Sequence, residues 1–162
     1  MIKIIDNFLD KETHKKIFDI LTKDESFPYF FLHGVAKRTH NDFMFVHILY
    51  LHDKGINSKY FESIGLPLIN KLSFKKFIRA KINCYPNQGK QIKNGFHTDY
   101  NTKHKVALYS INTNNGYTEF ENGDKYFSKE NQMIIFDGNL KHRSVTQNDK
   151  HLRLNININY EL

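Results

Sequence analysis

The sequence contains a single cysteine, no tryptophan and only three prolines among its 162 residues. Cys84 has no partner for an internal disulfide bond, which is typical of proteins that work in a reducing cytoplasm. No apolar run reaches the roughly 20 residues that a membrane-spanning helix needs. The opening residues, MIKIIDNFLDKETH, have neither the apolar segment nor the cleavage site of a signal peptide. These absences predict a cytoplasmic protein with no membrane partner.

The composition that remains is that of a globular chain, with 40% hydrophobic and 25% charged residues. A chain of 162 residues is long enough to form one domain, 1–162, with its own core. The formal net charge of +7 favours anionic partners in general. Because the lysines are spread along the chain, a solvated surface is the simpler interpretation, and a nucleic-acid surface stays open.

Residues 1–72 have the pattern of an N-terminal segment that contains helices and precedes the β-strands. Asp10 is suited to be the N-cap of a first helix, whose apolar face carries Ile17, Ile20 and Leu21. A second helix is expected to bend near Pro67. The predicted elements are a strand at 2–5, a helix at 10–23, a strand at 42–51 and a helix at about 57–71.

From residue 74 to residue 162 the pattern is that of short β-strands. Asn-Gly or Asp-Gly pairs at 115–116, 122–123 and 137–138 predict hairpin turns between them. Helices followed by many short antiparallel strands predict an α+β fold, with the strands in a double-sheet jelly roll and the helices packed on one sheet. The predicted strands are SFKKFIRAKINCYP, KVALYSIN, YTEF, KYFS, QMIIFDG and HLRLNININY.

Two of these strands alternate between apolar and polar residues, at 78–85 and at 151–160. If the helices cover the apolar face, the polar face is the inner one, and such a face is costly unless its groups are satisfied or bind a ligand. Alternatively the polar residues point to water, which the alternation alone favours. The polar face would carry Arg79, Asn83, Tyr85, Arg153 and Asn155.

Two histidines and one carboxylate can occupy one face of an Fe(II) ion and leave other positions open for reactants. The sequence has two His-x-Asp pairs, at 40–42 and 97–99, and chance alone gives such pairs. Only the second pair is followed by a distant histidine, His142, and then by Arg153, which is suited to bind the carboxylate of a co-substrate. The other histidines are expected to be surface or hydrogen-bonded structural residues.

This pattern resembles that of the Fe(II)/2-oxoglutarate-dependent oxygenases, in particular their phage-encoded and prolyl-hydroxylase-like members. The resemblance covers about residues 74–160 and implies a double-stranded β-helix (jelly-roll) fold. One departure, Asn115-Gly116-Tyr117 where many members have a pair of glycines, concerns a turn. The matching segments are RAKINCYPNQG (79–89), FHTDY (96–100), NGYTEFENG (115–123), NQMIIFDGNLKH (131–142) and RLNININY (153–160).

The resemblance also implies roles for individual residues. Arg153 would form a salt bridge to the distal carboxylate of 2-oxoglutarate, and Tyr85 would donate its hydroxyl to the same carboxylate. Asn83 and Asn155 would be further contacts to the co-substrate. The Fe(II) ligands would be His97, Asp99 and His142.

The implied activity is that of a 2-oxoglutarate- and O₂-dependent Fe(II) dioxygenase that hydroxylates a C–H bond of a peptide or small molecule, releasing succinate and CO₂. One alternative is an oxygenase of the same class that acts on nucleic acid, since the chain is basic and 14% aromatic. Another is a non-catalytic jelly-roll module that holds a ligand or a structural Zn²⁺. Residues 27–53 are expected to form a substrate-facing wall or lid, and the location would be the host cytoplasm if the protein is phage-encoded.

Overall fold

The structure is a computed structural model that describes residues 2–36 and 42–162. Within these residues, the chain forms two α-helices, a short π-helical segment at Phe61–Gly65 and eleven strands. The helices are α1 (Lys11–Lys23) and α2 (Leu66–Ile69). The strands are β1 (Lys3–Ile5), β2 (Phe30–His33), β3 (Phe43–Leu51), β4 (Gly55–Ile56), β5 (Lys76–Pro86), β6 (Lys105–Ser110), β7 (Tyr117–Phe120), β8 (Lys125–Phe127), β9 (Gln132–Asp137), β10 (His142–Val145) and β11 (Leu152–Glu161).

The helices cover one face of the larger sheet, as predicted. The Asp10 carboxylate accepts a hydrogen bond from the Thr13 backbone N–H at 2.9 Å and so caps α1. Ile17 and Leu21 of α1 belong to the same buried cluster as the apolar residues of β5 and β11, and this cluster also contains Leu68 of α2. The helices of the described residues are too short or too polar to cross a membrane.

The strands form two sheets of unequal size. The larger has eight strands in the order β1-β9-β6-β11-β5-β3-β2, with β4 beside β3, and the smaller has the order β10-β7-β8. The segment before Asp99 runs along β10, since the His97 N–H donates to the His142 carbonyl and the His142 N–H to the His97 carbonyl, each at 3.0 Å. Antiparallel pairing throughout, in two sheets with helices on one of them, confirms the predicted α+β jelly roll.

Only one of the three predicted hairpin turns closes a hairpin. Asn122-Gly123 joins β7 to β8, with Gly123 at a φ of 92° that favours glycine. The pair at 115–116 instead leads from β6 in the larger sheet to β7 in the smaller one, and the pair at 137–138 leads from β9 to β10. A turn dipeptide specifies a local reversal of the backbone, whereas the partner of each strand depends on the whole fold. The hairpin predictions at 115–116 and 137–138 were therefore wrong.

The region predicted as one helix at 57–71 is shorter and less regular. The Leu66 backbone N–H bonds to the Phe61 carbonyl, five residues earlier, which makes this turn π-helical. Pro67 then lies in the first turn of α2, where its missing N–H is not needed. The short strands β2, β4 and β10 were not predicted.

The polar faces of β5 and β11 do not point to water, so that interpretation was wrong. Arg153 and Asn155 are each 2% exposed, Asn157 is 7% exposed and Asn159 is fully buried. In β11, these residues alternate with apolar ones that belong to the cluster beneath the helices. The buried polar row therefore lies on the opposite face, toward the smaller sheet, where its amides and its guanidinium need partners.

Candidate active site

A pocket opens between the inner faces of the two sheets. Val35 and Met44, from the segment that was predicted as a wall or lid, lie at this pocket; residues 37–41 of that segment lie outside the described residues. All seven site residues predicted from the sequence line it: Asn83, Tyr85, His97, Asp99, His142, Arg153 and Asn155.

The structure brings the three predicted metal ligands together. One possible ligand atom from each of His97, Asp99 and His142 lies within 4.8 Å of the other two. His97 Nε2 is 3.9 Å from Asp99 Oδ1, and the two imidazole rings are 4.8 Å apart between their centroids. In the competing pair at 40–42, His40 lies outside the described residues. These separations are those of side chains that can share one ion.

Hydrogen bonds orient both imidazoles. His142 Nδ1 is 3.0 Å from the Leu140 carbonyl oxygen, and His97 Nδ1 is 3.2 Å from the Gly95 carbonyl oxygen. A carbonyl can only accept, so each Nδ1 carries the proton and each Nε2 keeps a free lone pair for a metal. Burial lowers the pKa of His142, which favours the neutral form that a metal ligand needs.

Asp99 lies in a bend after His97 and is held there by side chains that the sequence analysis did not assign to the site. Its Oδ2 accepts hydrogen bonds from the side-chain amides of Asn157, at 3.0 Å, and Asn159, at 2.8 Å. Its Oδ1 is 3.2 Å from a guanidinium nitrogen of Arg79. Burial alone would raise the pKa of Asp99, but Arg79 and the two asparagines hold it well below its usual range. The carboxylate is therefore ionised and fixed in position.

Arg153 is a buried cation with an unused hydrogen-bond donor. Its Nε donates to Ser128 Oγ at 2.8 Å and one terminal nitrogen donates to Thr118 Oγ1 at 3.3 Å, but Nη1 has no hydrogen-bond partner. In the part of the chain that the structure describes, no carboxylate forms an ion pair with it. Burial lowers the pKa of this guanidinium, and an anion bound in the pocket would oppose that effect. Gly116 makes room for it, since a Cβ there would lie 2.6 Å from Arg153 Cδ.

Tyr85 and the two predicted asparagines complete this end of the pocket. The Arg153 Cζ lies 5.2 Å from the centre of the Tyr85 ring, and burial raises the pKa of Tyr85, so its hydroxyl keeps the proton that it can donate. Asn83 Nδ2 donates to Asn155 Oδ1 at 2.9 Å across the two strands, while Asn83 Oδ1 has no partner. The pocket thus contains unsatisfied polar atoms beside a buried cation, as expected where a polar anion binds.

The donor set fits a ferrous ion better than a closed structural zinc site. Two imidazoles and one carboxylate form the cluster, and no fourth His, Cys, Asp or Glu joins it among residues 2–36 and 42–162. A structural zinc site normally has four protein ligands, whereas two histidines and a carboxylate with open positions are typical of non-haem Fe(II) oxygenases.

The fold is that of the Fe(II)/2-oxoglutarate oxygenases. No protein-family model matches the sequence, and no curated protein sequence matches it. Solved structures do: the chain aligns over 99% of its length with 83% of a prolyl hydroxylase from Trichoplax adhaerens in complex with a peptide fragment of the hypoxia inducible factor oxygen degradation domain, at a TM-score of 0.68 and 17% identity.

Two further structures show the same likeness. A 2OG-Fe(II) oxygenase family oxidoreductase from Burkholderia pseudomallei aligns with 99% of this chain and 85% of its own, at a TM-score of 0.70 and 10% identity. The non-haem alpha ketoglutarate dependent epimerase SnoN from nogalamycin biosynthesis aligns with 98% of this chain and 76% of its own, at a TM-score of 0.64 and 12% identity. The organisms named with these structures give no support to the phage part of the resemblance.

Proposed function

We propose that this protein is an Fe(II)- and 2-oxoglutarate-dependent dioxygenase that uses O₂ to hydroxylate a C–H bond of a peptide or small molecule, with release of succinate and CO₂. One observation carries the proposal. A His-Asp-His cluster and a buried arginine with an unpartnered Nη1 line the same pocket, inside the fold that these oxygenases share. Neither feature alone requires a keto-diacid, but one ligand with a chelating end and a distal carboxylate would satisfy both.

Fe(II) held by His97, Asp99 and His142 would supply the activation of O₂. The protein residues bind and orient the reactants. The Arg153 guanidinium presents a planar fork that suits a carboxylate. The Tyr85 ring lies beside this guanidinium, and its protonated hydroxyl is a further donor. The Leu140 and Gly95 carbonyls hold the protons of the two imidazoles on Nδ1, away from the metal side.

The proposed substrate class and reaction type draw on the structural neighbours. The prolyl hydroxylase among the structural neighbours is in complex with a peptide, which favours hydroxylation of a peptide group. The same fold also serves an epimerase, so identifying the product is part of any test.

The proposal is tested by measuring succinate formed from 2-oxoglutarate by the Fe(II)-loaded protein in air, first without a substrate and then with pools of peptides and metabolites. We expect measurable turnover that requires Fe(II), and we expect Asp99→Ala to abolish it and to weaken metal binding. Asp53→Ala removes an exposed carboxylate in a turn and serves as the matched control, which should keep full turnover.

Full 2-oxoglutarate turnover in Asp99→Ala would show that the site is misassigned. Metal binding without any 2-oxoglutarate binding or turnover in the parent protein would instead favour a non-catalytic metal-binding module.

A further inference from the structure

A lysine lies inside the same pocket, at the level of the metal ligands. Lys81 of β5 is partly buried and lines the pocket together with the His-Asp-His cluster. In the register of the larger sheet, it lies between Asn157 of β11, which bonds to Asp99, and Ile48 of β3. Lys81 therefore borders the metal site on the side of β11 where β5 and β3 lie.

Lys81 differs from the neighbouring cation on the same strand face, because its charge is unmatched. Arg79 is 3.2 Å from Asp99, donates to Asn159 at 3.0 Å, and its guanidinium stacks on the Tyr100 ring at 5.2 Å. In contrast, Lys81 has no hydrogen bond or ion pair with any residue of the described ranges. Burial, together with the charge of Arg79, lowers the pKa of Lys81 to about 8, and the attraction of Asp99 offsets only part of this effect. Burying the charged ammonium therefore costs the folded protein free energy.

The charges of the pocket indicate what could match Lys81. Among residues 2–36 and 42–162, Asp99 is the only carboxylate that lines the pocket, and Arg79 already balances it. A bound ferrous ion, Arg153 and Lys81 would bring four positive charges, of which a 2-oxoglutarate dianion neutralises two. The site would then remain positive when the co-substrate is bound, and it would attract a further anion.

We infer that Lys81 binds an anionic group of the primary substrate, a carboxylate or a phosphate, and thereby selects acidic substrates. This inference rests on the proposed function. An anionic group of the substrate bound to Lys81 would lie beside the metal ligands. A C–H bond close to this anionic group would then face the metal. The ammonium would act as a specificity-determining residue and not as a group that takes part in the oxidation.

The carboxylate that binds Lys81 could instead belong to 2-oxoglutarate, but the register of the strands argues against this. Arg153 pairs with Tyr85, four residues along β5 from Lys81, which separates their levels by about 13 Å along the strand. The 2-oxoglutarate carbon chain spans roughly 5–6 Å, which is less than half of this separation, so a molecule whose distal carboxylate is held at Arg153 does not extend along the strand to the level of Lys81. Lys81 instead lies beside Asn157, at the level of the metal ligands, where an anionic group of a second molecule could reach it.

The test uses the full chain loaded with Zn(II), which fills a site of nitrogen and oxygen ligands without activating O₂, and with 2-oxoglutarate. Isothermal titration calorimetry then compares three matched pairs of amino acids capped by an N-acetyl and a C-terminal amide: glutamate and glutamine, aspartate and asparagine, phosphoserine and serine. We expect the acidic member of at least one pair to bind about tenfold more tightly than its neutral partner.

Three variants assign this preference to a residue. Lys81→Met keeps the length and the apolar stem of the side chain but should lose the preference, and Lys81→Arg should retain it. Lys76→Met removes an exposed charge from the same strand, changes the net charge by the same amount as Lys81→Met, and should also retain the preference. Melting temperatures of all variants check that the fold is intact.

The affinity for 2-oxoglutarate shows whether the anion at Lys81 belongs to the co-substrate or to the primary substrate. We expect it to be unchanged in Lys81→Met. The inference is overturned if no acidic probe binds the parent protein more tightly than its partner, if the preference survives in Lys81→Met, or if this variant loses 2-oxoglutarate binding. Because none of these measurements needs turnover, their failure would leave the Fe(II)-dependent succinate assay, and with it the proposed function, intact.

Discussion

At the scale of single residues, the position of Asp99 depends on side chains that never touch a metal. Asn157 and Asn159 donate to the same carboxylate oxygen, and Arg79 lies against the other. Groups that hydrogen-bond to a ligand fix its orientation and commonly affect metal affinity as strongly as some ligands do. The inner row of β11 is therefore a support for the proposed metal site as well as a wall of the pocket.

This support can be tested with Asn157→Leu and Asn159→Leu, which remove the amides at similar volume. We expect each variant to weaken Zn(II) or Fe(II) binding by about 10–100-fold, because the carboxylate loses a fixed orientation. Metal titration measures the change in affinity. If excess metal restores the turnover of 2-oxoglutarate, the substituted asparagine positions the ligand and the variant is not misfolded. Asn139→Leu, in an exposed loop, is the control. Unchanged metal affinity in both buried variants would contradict the role given to this row.

At the scale of the elements, α1 stabilises the larger sheet from the face opposite to the site. Ile17 is fully buried in the cluster that the helices share with β5 and β11. The apolar residues of each of these strands hold the helix, while the polar residues between them line the pocket. Stability and binding thus depend on alternate residues of the same strands.

Ile17→Ala tests this separation. We expect it to lower the free energy of unfolding by about 2–5 kcal/mol, through lost burial and the cavity left behind, as measured by urea denaturation. The affinity of the folded protein for 2-oxoglutarate should stay unchanged, since the pocket is on the other face of the sheet. Lys16→Ala, one residue away on the exposed side of α1, should change stability by no more than about 0.5 kcal/mol. A large loss of 2-oxoglutarate affinity in Ile17→Ala would show that the two faces are coupled.

The elements also show how much the sequence could predict. The period of two in β5 and β11 predicted correctly which residues share a face, and the helix α1 followed from its cap and its apolar spacing. The turns at 115–116 and 137–138 connect one sheet to the other, and this could not be predicted, because the residues of a turn carry no information about which strands will pair. The bonds from Asn157 and Asn159 to Asp99 were missed for a similar reason: Asp99 lies in a bend, whose position depends on packing.

At the scale of the whole molecule, the proposed metal site joins the two sheets. His142 belongs to β10 of the smaller sheet, whereas Asp99 is hydrogen-bonded to β11 of the larger one. A ligand that binds only the folded state stabilises it by mass action. An ion and a co-substrate bound across this junction should therefore stabilise the folded protein as a unit.

Thermal denaturation measures that linkage. With Zn(II) at 100 times its Kd, we expect about 2.7 kcal/mol of added stability, or an increase of roughly 5–10 °C in Tm, with a further increase when 2-oxoglutarate is added. Arg153→Lys should keep the increment from the metal and lose most of that from 2-oxoglutarate, because a lysine lacks the bidentate fork. The absence of any shift with metal in the parent protein would count against a site that bridges the sheets.

The central place of β11 has a consequence for biosynthesis. This strand lies between β5 and β6, yet it follows both in the chain: β6 ends at Ser110 and β11 begins at Leu152. While a ribosome is making the residues in between, β5 and β6 each present an edge that still lacks its neighbour, and such edges are prone to pair with the wrong chain. Both edges stay unpaired until β11 has been made, so slow translation over this stretch would prolong their exposure.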